Sequence, residues 1–167
     1  MKWNTKTLVL MTMFTAIAVA GSVFVSFPAG VARAYPVQHA VNVIAAVSLG
    51  PGPAVMIAFL TALIRVLTGT GSLLAFPGGM IGALLAGWLY VKTGRAWTAS
   101  AGEMFGTGII ASLLAAPYAN LLMGASAGAL FFLPAFLVSS ISGALIGLAI
   151  AFRLESAGRL PVVGERS

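Results

Sequence analysis

Cysteine is absent from the 167 residues, which excludes disulfides, thiolate nucleophiles and Cys-ligated metal sites. Histidine occurs once, at His39, so no multi-histidine metal centre can form. Charge is scarce: Asp, Glu, Lys and Arg make up 7% of the chain, against about 25% in an ordinary soluble domain. Too few polar side chains remain to cover a water-facing surface, so hydrocarbon is the expected solvent. The glycine-rich stretch Thr68–Ser72 carries no lysine, so the G-x-x-x-x-G-K-[ST] phosphate loop is missing. No internal repeat is evident, which speaks against the inverted halves of many secondary transporters. Nothing calls for a cofactor.

What the chain does have is apolar length. Hydrophobic residues make up 60% of it, in six stretches: Thr7–Phe27, Tyr35–Leu49, Pro53–Gly69, Leu73–Val91, Trp97–Leu122 and Gly128–Phe152. A straight crossing needs about 20 helical residues at ~1.5 Å each. The first, fourth, fifth and sixth meet that. The second and third are short and joined by the turn signal Gly50-Pro51-Gly52-Pro53. They are expected to cross as a tight hairpin shielded by protein on both sides. The first stretch is longer than the ~7–15 residues of a signal peptide's apolar region and reads as a retained helix.

The nine basic residues are scattered singly, unlike the basic stripe of a nucleic-acid binder. With the N-terminus inside and six crossings, Lys2, Lys6, Lys92, Arg95, Arg153, Arg159 and Arg166 fall on the cytoplasmic side. Only Arg33 and Arg65 fall toward the outside, which is the positive-inside pattern. The expectation is an all-α membrane protein with six transmembrane helices and both termini cytoplasmic. Residues 1–152 form the membrane domain and 153–167 a short cytoplasmic tail.

Polar groups inside a bilayer are costly and mark candidate sites. Gln38, His39 and Asn42 share one helix face at the start of the second stretch. They either bond a small heteroaromatic ligand or cap the helix and bond its neighbours. Arg65 lies roughly 18 Å up the third stretch, where it meets a ligand acceptor or snorkels to the outer headgroups. Glu103, the only carboxylate within a stretch, is expected nearer the cytoplasmic end, out of reach of Arg65, and either bonded to neighbouring hydroxyls or protonated. The run Thr68–Ser72 and the following Ala75-Phe76-Pro77-Gly78-Gly79 form either an outer loop dipping inward, with Phe76 stacked on a flat ring, or a close helix contact. Pro117 is expected to kink the fifth stretch near Tyr118 and Asn120. Tyr118 is a stacking candidate or an interfacial belt residue. Ser139, Ser140 and Ser142 are expected to bond their own helix. A Ser139/His39 dyad is the one catalytic set to weigh, with no sign in the sequence that the two are close. Thr12, Ala16 and Ala20 form a row of small residues at four-residue spacing, over which another helix can approach.

The run Tyr35-Pro-Val-Gln-His-Ala-Val-Asn-Val, then Leu49-Gly-Pro, then Gly69-Thr-Gly-Ser-Leu-Leu-Ala-Phe-Pro-Gly-Gly-Met-Ile-Gly-Ala-Leu-Leu-Ala-Gly87 resembles the ThiW family. That family comprises thiazole-specific substrate-binding (S) components of energy-coupling factor (ECF) transporters. The resemblance implies a six-helix S-component bundle in a prokaryotic cytoplasmic membrane, binding its ligand from the outer face. It implies as partners one ECF transmembrane coupling subunit and two ATPase subunits, docked on the first helix at Ala16 and Ala20. The implied ligand is hydroxyethylthiazole, the thiazole half of thiamin. Under that reading Gln38, His39 and Asn42 supply polar contacts, Phe76 and Tyr118 stack, Asn120 joins them and Arg65 fixes the site. The competing readings are an S component for another vitamin such as thiamin, and a stand-alone small-solute channel.

Overall fold

The computed structural model of the chain describes residues 3–30 and 32–158. Lys2, Arg159, Arg166 and most of the expected tail lie outside the described residues. Six helices make up the fold. They are α1 (Thr5–Phe24), α2 (Pro36–Leu49), α3 (Pro51–Leu67), α4 (Ala75–Thr93), α5 (Ala96–Met123) and α6 (Leu133–Ser156). Between α1 and α2 lies a short antiparallel hairpin, β1 (Phe27–Ala29) and β2 (Ala32–Ala34), which pairs Pro28 with Arg33.

Local chemistry sets the boundaries. Asn4 caps α1 by accepting from the Thr7 N–H at 2.8 Å. Proline opens α2 and α3 at Pro36 and Pro51, where a missing N–H costs nothing. Gly50, at φ +86°, reverses the chain between those two helices. The observed helices sit within a few residues of the expected stretches, with two departures. The first stretch leaves the helix after Phe24, with its last residue Phe27 opening β1, and α6 begins at Leu133 and continues past Phe152 to Ser156.

Three helices are long and apolar enough to cross a membrane: α1, α5 and α6. At 14 and 17 residues, α2 and α3 span only about 21 and 26 Å. The polarity of the bundle is inverted relative to a water-soluble protein. Leu8, Met13, Ile17, Leu84, Trp97 and Leu145 stand exposed, while the interior is built mainly of alanine and glycine with buried Asn42, Arg65 and Glu103. Lipid tails are as apolar as leucine, so close backbone contact rather than hydrophobic collapse holds such helices together.

Small residues provide that contact. Along α6, Ser139, Gly143, Gly147 and Ala151 recur every four residues and are all buried. A Cβ on Gly143 would strike the Pro36 carbonyl oxygen, and one on Gly147 would come within 2.8 Å of the Ala40 carbonyl oxygen. Along α4, a Cβ on Gly82 would strike Glu103 and Thr107 of α5. As a result α2 is enclosed, with 11 of its 14 residues buried. Its short length is therefore shielded by protein, and its side chains are held where a site can use them.

Within α5, residues Gly106–Ala111 form a π-helical turn. Such turns are frequent at functional sites, and this one sits directly after Glu103.

Gly143→Leu should destabilise the bundle by about 1–3 kcal/mol or more through overpacking. Gly128, which has nothing within 4 Å of an added Cβ, should accept alanine without loss. Thermal unfolding of the detergent-solubilised variants checks both; equal melting temperatures would contradict this packing.

Candidate functional site

The N-terminal ends of α2, α4 and α6 meet the C-terminal end of α3 beneath the hairpin. They surround a cavity of about 410 Å³, at the small end of ligand pockets. The loop Gly69–Ser72 and Arg33 of β2 line its mouth, and Thr107 of the π turn lines its wall. Lys6, Lys92, Arg95 and Arg153 stand at the opposite helix ends. The cavity thus occupies the end of the bundle that carries only Arg33 and Arg65.

Arg65 organises one side. It is 2% exposed, so its guanidinium needs partners within the protein. Nη1 donates to Gln38 Oε1 at 2.5 Å and Nη2 donates to the Thr70 carbonyl at 3.1 Å. The guanidinium carbon lies 3.9 Å from the centre of the Tyr35 ring, a cation–π contact. The loop closes over the same residue, since the Thr70 and Gly71 N–H groups both donate to the Arg65 carbonyl, at 2.9 and 3.0 Å. Gly71 is needed there because a Cβ would come within 2.9 Å of Arg65 Cβ. Nε is buried with no partner, and among the described residues no carboxylate forms an ion pair with Arg65.

Glu103 organises the floor. It is fully buried, and donors from three places converge on Oε1. His39 Nδ1 lies at 2.6 Å, Asn42 Nδ2 at 3.2 Å and the Thr107 hydroxyl at 3.0 Å. Asn42 spends its second N–H on the Gly79 carbonyl at 3.1 Å. The single Thr107 proton is shared between Oε1 and the Gly78 carbonyl, 2.8 Å away. With Glu103 as a carboxylate, the proton of this contact sits on His39 Nδ1. His39 also lines the cavity, so Nε2 is the ring nitrogen left to meet an occupant, and in the neutral ring it is an acceptor.

The cavity wall brings together Gln38, His39 and Arg65 of the expected site residues. Asn42 lies one layer deeper, bonded to the carbonyl of the lining residue Gly79 and to Glu103. Phe76, Tyr118 and Asn120 are not on the wall. Phe76 sits about 200° around α4 from Gly78 and packs on Phe59, with ring centres 5.6 Å apart. Tyr118 lies some three turns beyond Thr107 along α5. Asn120 uses both ends of its amide to clasp Ala127, donating to its carbonyl at 3.0 Å and accepting from its N–H at 2.8 Å.

Glu103 stands nearer the Ala96 end of α5, bonds the Thr107 hydroxyl and makes no ion pair with Arg65 among the described residues, as expected. It also touches His39, the immediate neighbour of Arg65's partner Gln38. Ser139 does not bond its own helix; its hydroxyl accepts from the Tyr35 N–H at 2.8 Å. No hydrogen bond joins it to His39 among the described residues. Ser140 and Ser142 do bond back to their own helix.

Tyr35, Arg33, Thr107 and Phe136 complete the wall without having been marked as candidates. Thr107 was findable, because it stands four residues after Glu103 and so shares its helix face. Tyr35 directly precedes the helix-opening Pro36, next to the polar triad. Phe136 carried no local signal.

Truncating either member of the floor pair strands buried polar groups, at about 1–3 kcal/mol each. A double-mutant cycle of His39→Leu and Glu103→Leu should therefore show a coupling above about 0.5 kcal/mol. Additive effects on thermal stability would contradict the pairing.

No curated protein matches the chain. The family profile described as "Thiamine-precursor transporter protein (ThiW)" matches residues 8–157. A match over that much of the chain settles its membership, and the membrane-length helices agree with a transporter: the chain belongs to the ThiW family of thiamine-precursor transporter proteins.

Proposed function

We propose that the chain is the S component of an ECF-type importer, capturing hydroxyethylthiazole from the outer face of a prokaryotic cytoplasmic membrane. The observation that carries this reading is the cavity that joins an aromatic and amide side, at Tyr35, Gln38 and Arg65, to the His39 acceptor on its floor. A flat, weakly polar ring suits the aromatic walls, and a hydroxyl can donate to Nε2. The cavity lies at the end opposite Lys6, Lys92, Arg95 and Arg153. The positive-inside rule then makes it the outer end, with six crossings and both termini inside.

Uptake against a gradient needs energy, and the sequence holds no phosphate loop, so the energy source is external to this chain. The partners of this reading are a transmembrane coupling subunit and two ATPases. Ala16 and Ala20 stand exposed on α1. They are flanked by Met13 and Ile17, at 55% and 50% exposure, a surface over which another helix can approach closely. A stand-alone channel is disfavoured because the Glu103 cluster and the glycine contacts of α4 close the cavity floor.

Calorimetry of the purified chain should show saturable one-site binding of hydroxyethylthiazole. His39→Ala should weaken it about three- to tenfold, the worth of one hydrogen bond. Tight binding of thiamin alone, or passive solute flux in liposomes lacking ATPases, would overturn the reading.

A further inference from the structure

Among the described residues, the cavity wall carries a guanidinium that no carboxylate pairs. Arg65 is 2% exposed and contacts an amide oxygen, a backbone carbonyl and an aromatic ring, all of them neutral. Its Nε has no partner at all. Arg33, the second cation on the wall, is exposed and bonds only Ser26. The one carboxylate close by, Glu103, is not on the wall. Its Oε1 accepts from His39, Asn42 and Thr107, and its Oε2 is buried against Gly82 with no hydrogen-bond partner among the described residues.

From this charge balance we infer that Arg65 is a specificity-determining charge filter, which admits neutral or anionic heteroaromatic ligands and rejects cationic ones. The inference rests on the cavity being the thiazole site. It bears on a sharp chemical distinction, because a thiazole ring is neutral until its nitrogen is alkylated, when it becomes a permanent thiazolium cation of nearly the same shape. Two like unit charges about 6 Å apart in an effective dielectric of ~20 repel strongly enough to change affinity by roughly a hundredfold. Screening through the open mouth brings the expected discrimination to at least about tenfold. The face of the Tyr35 ring, which otherwise attracts cations, is already occupied by the guanidinium.

The test uses matched ligands in calorimetry of the purified protein: 4-methyl-5-(2-hydroxyethyl)thiazole, its N-methylthiazolium salt, and its 2-methyl derivative as a neutral compound with the same added carbon. The wild-type protein should bind the thiazolium at least about tenfold more weakly than the 2-methyl compound. Arg65→Lys should keep most of that gap, Arg65→Gln should remove most of it, and Arg33→Gln should change it little. Should Arg65→Gln fail to fold, Ser72→Glu places a carboxylate on the cavity wall and should narrow the gap. Equal binding of the matched pair by the wild type overturns the filter and leaves the thiazole site standing. So does a gap that survives Arg65→Gln, or one unchanged in Ser72→Glu. Failure of both neutral thiazoles to bind overturns the thiazole reading, and the filter with it.

Discussion

A carboxylate with no exposure to solvent, Glu103, sits where α2, α4 and α5 meet. In a low-dielectric interior such a group needs hydrogen-bond donors, and three meet Oε1 while Oε2 has none among the described residues. Most of the site follows from where those donors stand. His39 and Asn42 must lie on one face of α2 to reach it, and Thr107 must lie on the π turn. Gly82 must lack a side chain, because Glu103 fills that space. The helices can come together on these terms only because α4 and α6 present glycine and alanine toward their neighbours. The packing that replaces hydrophobic collapse in lipid is thus also what delivers polar side chains to the cavity.

The two polar clusters are joined through adjacent residues. Gln38 holds Arg65, and His39 holds Glu103, one residue further along α2. A single enclosed helix of 14 residues therefore fixes the cavity's cationic side and its acceptor floor together. Arg65 also carries the loop from Thr70 to Gly71. Ligand contact, loop position and charge are consequently expected to change together when any one of these residues is altered.

Much of this was legible in the sequence. Low charge and long apolar stretches are enough to give a helical membrane protein, and six stretches matched six helices to within a few residues. The shared face of Gln38, His39 and Asn42 was readable from helical spacing, whereas the bond from Arg65 to Gln38 joins two helices and leaves no mark in spacing. Other features carried no readable signal. Strands of three residues, as in the hairpin, are too short to show an alternating pattern. A π turn differs from an α-helix by one hydrogen-bond step and leaves no mark in residue type. The turn of α4 that puts Gly78 on the cavity and Phe76 against Phe59 likewise leaves no mark in residue type. The Ser139-Gly143-Gly147-Ala151 row was present in the sequence, but alanine and glycine are so abundant here that such rows do not stand out.

His39 is the only histidine in the chain, so its ring nitrogens give an unambiguous spectroscopic signal in tag-free protein labelled with ¹⁵N-histidine. Titration with hydroxyethylthiazole should shift Nε2 while Nδ1 keeps its proton against Glu103. If both nitrogens stay unmoved at ligand concentrations that saturate binding by calorimetry, the ligand sits elsewhere and this account of the site is wrong.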